Sequence, residues 1–386
     1  MDDIGVKFVS HKISKIRWRP AVSQSLRRSD VFATGSWDDE DNRVSVWQIP
    51  QDGGDAEIMD TTAGAAEAVV ESEPCLLAEI RHVGDVTDLE YISLENILAS
   101  SSTGTVTLYR HHRNSQTLAV MHQWEQLHRY GDQTCACTCT AARDEMVVTG
   151  GEDGKINILN IGQRHPSRTI AKADSCTING ITFLKQSEII TVNSVGQLKI
   201  FDLRLDTGDP VNTFLVTGEQ TPLHCVDKHP GQPHIVATGN RDGMLCIWDL
   251  RQDKFPVTLL EGHSSTMWDL KFHPRNPDHL FTCSEDGTVY HWDGSAMSSD
   301  PILNPIAGTG VGSGGGMSVA ANFSLGGATS HSSPWLQMEV ARQRLEIKTL
   351  LPHVSLPVNT LDIEEQTLLC GTDGESIYTI HVPSVR

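Results

Sequence analysis

The sequence predicts an all-β fold, a closed β-propeller of seven blades formed by one chain of 386 residues. Three observations lead to this fold class. A short unit centred on a tight turn recurs along the chain, its central copies are regularly spaced, and apolar residues alternate with polar ones after the turns. Such repeats are typical of propellers, in which each repeat supplies one small sheet and cannot bury its apolar faces alone.

The recurring unit is a threonine-containing apolar stretch, a turn centred on Asp-Gly, and a strand ending in an aromatic residue followed by Asp. Its clearest copies are Val236–Asp249 (VATGNRDGMLCIWD) and Leu280–Asp293 (LFTCSEDGTVYHWD). Seven copies align on their turn residues, which are Asn42, Gly104, Gly154, Gly196, Gly243, Gly287 and Gly374. Five residues later stand Trp47, Tyr109, Leu159, Phe201, Trp248, Trp292 and Thr379. The spacing is close to the roughly 40–45-residue period of WD repeats.

The residues around each turn agree with a hairpin. A two-residue type I′ loop needs positive φ angles, which Asp-Gly tolerates. After the turn the apolar residues have period two, as in Leu245 and Ile247, and this period indicates a strand. The alternation is broken by His291 in the sixth copy and by Ser376 in the seventh, so these two strands are predicted less well.

A structural hydrogen-bonded set of the WD repeat is predicted in the sixth copy. Asp286 can accept from the ring of His263, the ring can bond Thr282, and the hydroxyl can accept from the Trp292 indole. The fifth copy keeps the other three positions but has Thr221 where the histidine is expected. Those three residues are Thr238, Asp242 and Trp248.

The ends and the insertions complete the predicted organisation. Val6–Ser10 is expected to supply the outer strand of the blade formed by Val358–His381, because pairing the ends protects open sheet edges. Residues 1–386 then form a single propeller. Residues 51–74, with seven acids and no Lys or Arg, are predicted to be an acidic loop insertion, and residues 294–334 a Gly/Ser-rich loop insertion. Ile347 and Thr349 are predicted to lie on the outer strand of blade six.

Composition excludes several classes of function. The formal net charge is −19, so direct nucleic-acid binding is not expected, although the N-terminal segment is rich in Lys and Arg. No apolar run is long enough for a membrane helix, and no membrane insertion is expected. The nine cysteines show no paired framework and no secretory signal stands at the N-terminus, which favours a reducing compartment.

Cys135, Cys137 and Cys139 are the sharpest cluster of reactive side chains. In a strand they would share one face, and the favoured interpretation is a buried apolar face, with a metal site as the less favoured one. The sequence contains no recognisable nucleophile elbow, phosphate-binding loop or metal-protease motif. We therefore predict a docking scaffold without catalytic residues, cofactor or metal.

Three residues are candidates for docking a partner. Trp335 would be an anchor if exposed, but it is more readily explained as a cover over the core. Arg204 and Arg251 each follow an aromatic-Asp pair by two residues, an ending that resembles substrate receptors of cullin-type ubiquitin ligases. Local ion pairs are the simpler interpretation, and the ligase receptor is the alternative function.

Longer segments resemble the nucleoporin 43 family, the WD-repeat subunits of the Y-shaped scaffold complex of the nuclear pore. The segments are Lys12–Pro20, Phe32–Asp38, Ile80–Leu89, Thr191–Ile200, Pro222–Pro230, Leu280–Gly287, Ser355–Asp362 and Cys370–Asp373. The resemblance implies a monomeric, non-enzymatic propeller within a hetero-oligomer, located at the nuclear envelope and, in mitosis, at kinetochores. It implies α-solenoid nucleoporins and other Y-complex subunits as partners, and roles in pore assembly and in transport of mRNA and protein.

Overall fold

The fold is a ring of seven four-stranded antiparallel sheets, shown by a computed structural model that describes residues 4–21, 29–50, 73–216, 220–252, 254–295, 333–336, 345–351, 354–383 and 385. The predicted fold class is confirmed. The strands, in chain order, are β1 (Ile4–Phe8), β2 (Ile13–Trp18), β3 (Val31–Ser36), β4 (Arg43–Gln48), β5 (Cys75–Arg81), β6 (Val86–Tyr91), β7 (Asn96–Ser101), β8 (Val106–His112), β9 (Thr117–Trp124), β10 (Arg129–Tyr130), β11 (Gln133–Thr134), β12 (Cys137–Arg143), β13 (Met146–Gly151), β14 (Ile156–Asn160), β15 (Arg168–Ile170), β16 (Ile178–Lys185), β17 (Glu188–Asn193), β18 (Gln197–Asp202), β19 (Asn212–Leu215), β20 (Leu223–Lys228), β21 (Ile235–Asn240), β22 (Met244–Asp249), β23 (Thr258–Glu261), β24 (Met267–Phe272), β25 (His279–Ser284), β26 (Val289–Asp293), β27 (Glu346–Leu351), β28 (Val358–Glu364), β29 (Thr367–Thr372) and β30 (Ser376–His381).

Each blade has its first strand at the centre of the ring and its fourth at the rim. Blades one to six consist of β2–β5, β6–β9, β12–β15, β16–β19, β20–β23 and β24–β27, and blade seven of β28, β29, β30 and β1. Strands β10 and β11 form a separate hairpin between blades two and three, and Pro334–Leu336 is a turn of 3₁₀-helix. The first strands of successive blades contact one another, and β28 contacts β2, so the ring closes.

The N-terminal strand completes the last blade, as predicted. Strand β1 runs antiparallel to β30 from the pair Ile4–Ile380 to the pair Phe8–Ser376. The strand begins two residues before the predicted start at Val6. The predicted outer strand of blade six is also confirmed, because Ile347 pairs with Trp292.

Period-two strands fit this ring because the faces of each blade pack on two neighbouring blades. Along β22, Leu245 and Ile247 join the core shared with blade six, which includes Met267. Cys246 and Trp248 point the other way, into the core shared with blade four. A polar residue on either face would therefore need a hydrogen-bond partner, which explains why the middle strands are almost wholly apolar.

The register of blade seven differs by one residue from the sequence alignment. Glu375, at φ 52°, occupies the left-handed turn position that was assigned to Gly374. Leu368 therefore pairs with Ile380, as Leu280 pairs with Trp292 in blade six, and Thr379 is not the end-of-strand residue. The sequence favours Gly374 at the turn because glycine adopts positive φ without steric cost. In this blade the residue with positive φ is a glutamate instead.

The two predicted insertions, residues 51–74 and 294–334, fall almost entirely outside the described residues. Their character stays a prediction from composition. At the flanks, Gln48 pairs with Cys75 in blade one, so the chain leaves and re-enters the sheet at adjacent positions.

Every inner strand carries a β-bulge near its start. In blade one, for example, Ile13 pairs with Ser36 and Lys15 pairs with Gly35, so that Ser14 is extra. The seven extra residues are Ser14, Thr87, Thr138, Asn179, His224, Trp268 and Asn359. Bulges redirect a side chain out of the regular alternation. The ring of sheets thus presents one redirected side chain per blade at one end of its central channel.

Candidate functional site

The central channel is lined by edge strands, and several of their free N–H groups donate to side chains of the preceding blade. The acceptor and donor pairs are Asp88 with Thr140 (2.8 Å), Glu90 with Ala142 (2.7 Å), Asp227 with Phe272 (2.9 Å) and Asp362 with Trp18 (2.7 Å). Buried N–H groups without partners would be costly. These carboxylates therefore connect the inner edges of neighbouring sheets.

Arg17 and Glu90 are two charged residues with shifted pKa values in the channel, which encloses a cavity of about 170 Å³. Arg17 Nη1 donates to Asp269 Oδ2 at 3.0 Å. Burial alone would lower the pKa of Arg17, but the nearby carboxylates, Asp269 first, raise it above its usual range. Burial and the charge of Asp88 raise the pKa of Glu90 to about 8. The shift of Arg17 follows from the ion pairs that connect the blades, whereas the shift of Glu90 follows from its burial.

The predicted hydrogen-bonded set of blade six is found with one difference. The Thr282 hydroxyl lies 2.7 Å from His263 Nε2 and accepts from the Trp292 indole at 2.9 Å. His263 Nδ1 lies 2.8 Å from Thr288 Oγ1, which donates to Asp286 Oδ1 at 2.6 Å, while the direct distance from the ring to Asp286 is 3.5 Å. The sequence prediction did not include Thr288, whose β-hydroxyl lies between the ring and the carboxylate.

Blade five keeps a shorter version of this set. Trp248 Nε1 donates to Thr238 Oγ1 at 2.9 Å. Thr221, which replaces the histidine, donates its hydroxyl to Asp242 at 3.2 Å. A threonine side chain is too short to join both the carboxylate and the second threonine, so the set is divided into two parts.

Blade three contains a second set of His, Thr and Asp, with Leu159 in place of the tryptophan, which the sequence analysis missed. His128 Nδ1 lies 2.8 Å from Asp153 Oδ1, and its Nε2 lies 2.8 Å from Thr149 Oγ1. The hairpin β10–β11 separates His128 from the strand that follows, which lengthens the interval to the turn and hides the pattern. The sequence did contain a signal for this set. Thr149 and Asp153 are four residues apart, as Thr282 and Asp286 are in blade six, and a histidine precedes each pair.

The three clustered cysteines are buried, but they do not share one face. A bulge separates Cys137 from Cys139 and reverses the alternation expected for a regular strand. Cys137 joins the core between blades two and three, and Cys139 the core between blades three and four. Burial raises the pKa of Cys135 to about 11 and that of Cys139 to about 12. These are the properties of core thiols rather than nucleophiles or metal ligands.

Trp335 is not an exposed anchor. Only 2% of its surface is exposed, its ring packs edge-on against Phe272, and its indole donates to the carbonyl of Pro277 at 2.8 Å. The candidate docking role is therefore replaced by the simpler interpretation, in which Trp335 covers the core beside blade six.

Arg204 and Arg251 both form local ion pairs at the ends of their blades. Arg204 contacts Asp202 at 2.6 Å and Arg251 contacts Asp249 at 2.8 Å, so each arginine forms an ion pair with the carboxylate two positions earlier. The arginine side chains are 70% and 58% exposed, so both remain accessible while paired. The guanidinium of Arg204 lowers the pKa of Asp202 to about 2, chiefly through the side-chain hydrogen bond.

One group in the described part of the chain has the spacing of metal ligands: His279, His291 and Asp293. His279 Nδ1 lies 2.9 Å from His291 Nε2, a hydrogen-bond distance, and 3.4 Å from Asp293 Oδ1. The ring of His291 also stacks on Phe281 at 4.7 Å. The two histidines thus satisfy each other, and His291 finds a partner at a position that is apolar in other blades, such as Ile247 in blade five.

The basic N-terminal segment is largely paired with acids. Lys7 contacts Glu73 at 3.0 Å, and Arg19 lies 3.6 Å from Asp30. Arg17 is engaged in the channel, as described above. Within residues 4–21, the segment therefore does not present a run of free cations. Arg27 and Arg28 lie outside the described residues. In the described part, we find no helix with the length and hydrophobicity needed to cross a membrane.

The sequence of this chain is similar to a known repeat family and to several known proteins. The WD domain, G-beta repeat model matches residues 208–249 and 254–293, which include most of blades five and six. The chain is 46% identical over 384 residues to proteins named nucleoporin Nup43 from Mus musculus and from Homo sapiens, and each match covers 98% of both chains. It is 32% identical to the nuclear pore complex protein nup43 of Dictyostelium discoideum over 38% of this chain and 34% of that protein.

Proposed function

The chain belongs to the Nup43 family of nucleoporins, and from this we propose that it is a non-enzymatic scaffold subunit of the nuclear pore complex. The observation that carries the proposal is the extent of the match, which covers 98% of each chain and thus includes all seven blades. A match confined to the WD repeats would support only the fold, because one fold serves many functions.

The finer proposal is that the propeller works in the Y-shaped complex of the outer ring. Its partners are α-solenoid nucleoporins and other subunits of that complex, and it supports pore assembly and transport of mRNA and protein. The closed ring supports a scaffold role, because hydrogen bonds between inner strands make it a rigid unit whose rim and two ends are available for docking. A stable interface would bury on the order of 1,000 Å² or more in total.

Purification of the tagged chain from its native cells, under conditions that preserve complexes, is the direct experiment. We expect stoichiometric α-solenoid nucleoporins in the mass spectrum and cross-links from them to this propeller. Recovery of a cullin adaptor in their place would refute the proposal and support the alternative of a ubiquitin-ligase receptor.

Fluorescence imaging tests the proposed locations. We expect the tagged chain at the nuclear rim in interphase and at kinetochores in mitosis. The two locations are separable: rim signal without kinetochore signal would leave the pore scaffold in place and remove the mitotic role.

A further inference from the structure

A funnel opens at the end of the channel where the seven bulges lie, with a cavity volume of about 430 Å³. Four carboxylates stand around it, those of Asp85, Glu152, Glu285 and Asp373. We propose that this funnel binds an extended segment of a partner protein through an arginine or lysine side chain inserted at its centre. The proposal concerns the chemistry of the site and does not depend on which complex the chain joins.

The four carboxylates are held in place by neutral donors. Asp373 accepts from the Trp37 indole at 3.0 Å and from the Asn359 amide at 2.7 Å. Asp85 accepts from the backbone of Asp38 at 2.9 Å. These bonds fix the positions of the acceptors without cancelling their charge.

The two glutamates are anchored in the same way. Glu285 accepts from the Ser265 hydroxyl at 2.7 Å, and Glu152 from the backbone of Ala136 at 3.3 Å. Within the described ranges, no salt bridge involves any of the four funnel carboxylates, although many other acids of the chain are paired with Arg or Lys. The funnel therefore holds negative charge that is left for a ligand.

The cationic side chains near the funnel are few, and most of them interact with carboxylates outside it. Lys15 is the one lysine in its lining, and its charge acts on Asp269 in the channel below. Burial lowers the pKa of His224, so this ring is neutral near pH 7. Lys12 is paired with Asp38, and Arg241 acts on Glu285 only at longer range. Four carboxylates and one ammonium group leave a net of three negative charges in the lining.

Two tryptophan side chains form part of the funnel wall. Trp37 and Trp268 both line the funnel, and neither is fully buried. The bulge in β24 turns Trp268 out of the strand, and the ring of His224 packs edge-on against it at 5.1 Å. Indole faces attract cations, and guanidinium groups stack on them. Four carboxylates and two indoles that line the same funnel make a suitable receptor for an arginine or lysine side chain.

The test is a binding titration with defined probes. A short fluorescein-labelled peptide of alternating glycine and arginine is titrated with the intact chain, alongside the corresponding lysine and glutamate peptides. We expect the double variant Glu152→Gln with Glu285→Gln to weaken binding of the arginine peptide by about tenfold. Both side chains lie at the surface, and unchanged thermal midpoints would show that the variant is folded.

A matched control separates the funnel from the general acidity of the chain. Glu145 and Glu152 flank opposite ends of β13, and Glu346 is exposed on β27 in the blade that carries Glu285. Glu145→Gln with Glu346→Gln removes the same charge away from the funnel and is expected to change the affinity by less than about twofold. Trp268→Leu should weaken the arginine peptide, which gives a second test independent of charge.

Three outcomes would overturn the proposal: equal weakening in the funnel and control variants, equal binding of the glutamate peptide, or no binding at low ionic strength. A further outcome, self-association that is abolished by the funnel variant without any peptide binding, would assign the funnel to a second copy of this chain instead. Peptide binding and nucleoporin co-purification are separate readouts, so the failure of one leaves the other standing.

Discussion

The guanidinium of Arg17 lies 3.0 Å from the carboxylate of Asp269, although the two residues belong to the inner strands of blades one and six. Blade seven lies between them, and its Thr360 donates to the same carboxylate at 3.0 Å. One buried ion pair thus connects three blades across the position where the ring closes.

Asp269→Asn is expected to lower the free energy of unfolding by about 3 kcal/mol at neutral pH, because it leaves Arg17 buried without its closest counter-charge. Burial alone would raise the pKa of Asp269, but Arg17 and neighbouring cations lower it. The carboxylate therefore stabilises the fold above its unfolded pKa, and this stabilisation is lost as the pH falls through the folded pKa. Urea denaturation at several pH values should show the difference from wild type shrinking in acid.

Asp206→Asn is the control for that experiment. Asp206 is fully exposed and 3.9 Å from Arg168, so its removal should leave the urea midpoint unchanged at every pH. Equal effects of the two substitutions would contradict a specific role for the pair in the channel.

Glu90 should make the protein less stable as the pH rises. Its pKa is raised from 4.5 to about 8, so the folded state holds a proton that the unfolded state releases, and stability falls between these pH values. Glu90→Gln removes this titration and can still accept from Ala142. We expect the variant to gain up to about 5 kcal/mol relative to wild type at alkaline pH but nothing in acid. Parallel pH profiles of the two proteins would disprove the assignment.

Thr282→Val should destabilise the protein more than Thr238→Val, although both substitutions exchange a hydroxyl for a methyl group. The Thr282 hydroxyl serves both His263 and Trp292, whereas the Thr238 hydroxyl accepts from Trp248. We expect costs of about 2–4 and about 1–2 kcal/mol, because each buried ring nitrogen left without a partner is penalised. Thermal unfolding of both variants measures the difference, and equal costs would argue against the shared hydroxyl.

The fold was predictable because the blades repeat a turn and a period-two strand, which ends in an aromatic residue in five of the seven blades. The error in blade seven has a local cause: Gly374 is the residue expected at a left-handed turn, but Glu375 takes that position. Glycine has the highest propensity for positive φ, so the sequence favours Gly374 at this position. The pairing of Leu368 with Ile380 shows the register that the blade adopts. A one-residue slip of this kind exchanges the two faces of a strand.

The funnel and the channel were not predictable from the sequence. Asp85 and Asp373 lie 288 positions apart in the printed sequence and meet only because the ring closes. Thr138 and Trp268 enter the funnel because bulges take them out of the regular alternation of their strands. Local patterns predict which residues form a strand, but not which side chains converge at the centre.

Deletion of residues 1–10 should lower the thermal midpoint substantially and promote aggregation. It removes β1, exposes the edge of β30 over five paired residues, and withdraws Ile4 from the core beside Ile380. Thermal scans and light scattering at several protein concentrations measure both effects.

Replacement of residues 51–72 by a short Gly-Ser linker should change the thermal midpoint little. Gln48 and Cys75, which lie on either side of this segment, are paired in adjacent strands, so a short linker can connect them. This second deletion is longer, so it controls for chain length. A larger loss of stability here than in the N-terminal deletion would show that the insertion contributes to the fold.

Arg204→Ala with Arg251→Ala distinguishes the scaffold from the ligase receptor. Each arginine is exposed, and in the part of the chain that the structure describes its ion pair is with the carboxylate two residues before it, so the thermal midpoint should not change measurably. Under the scaffold proposal, the double variant recovers the same nucleoporins as wild type in a native purification. Loss of a cullin adaptor from the double variant, after its recovery with wild type, would instead assign these two side chains to ligase binding.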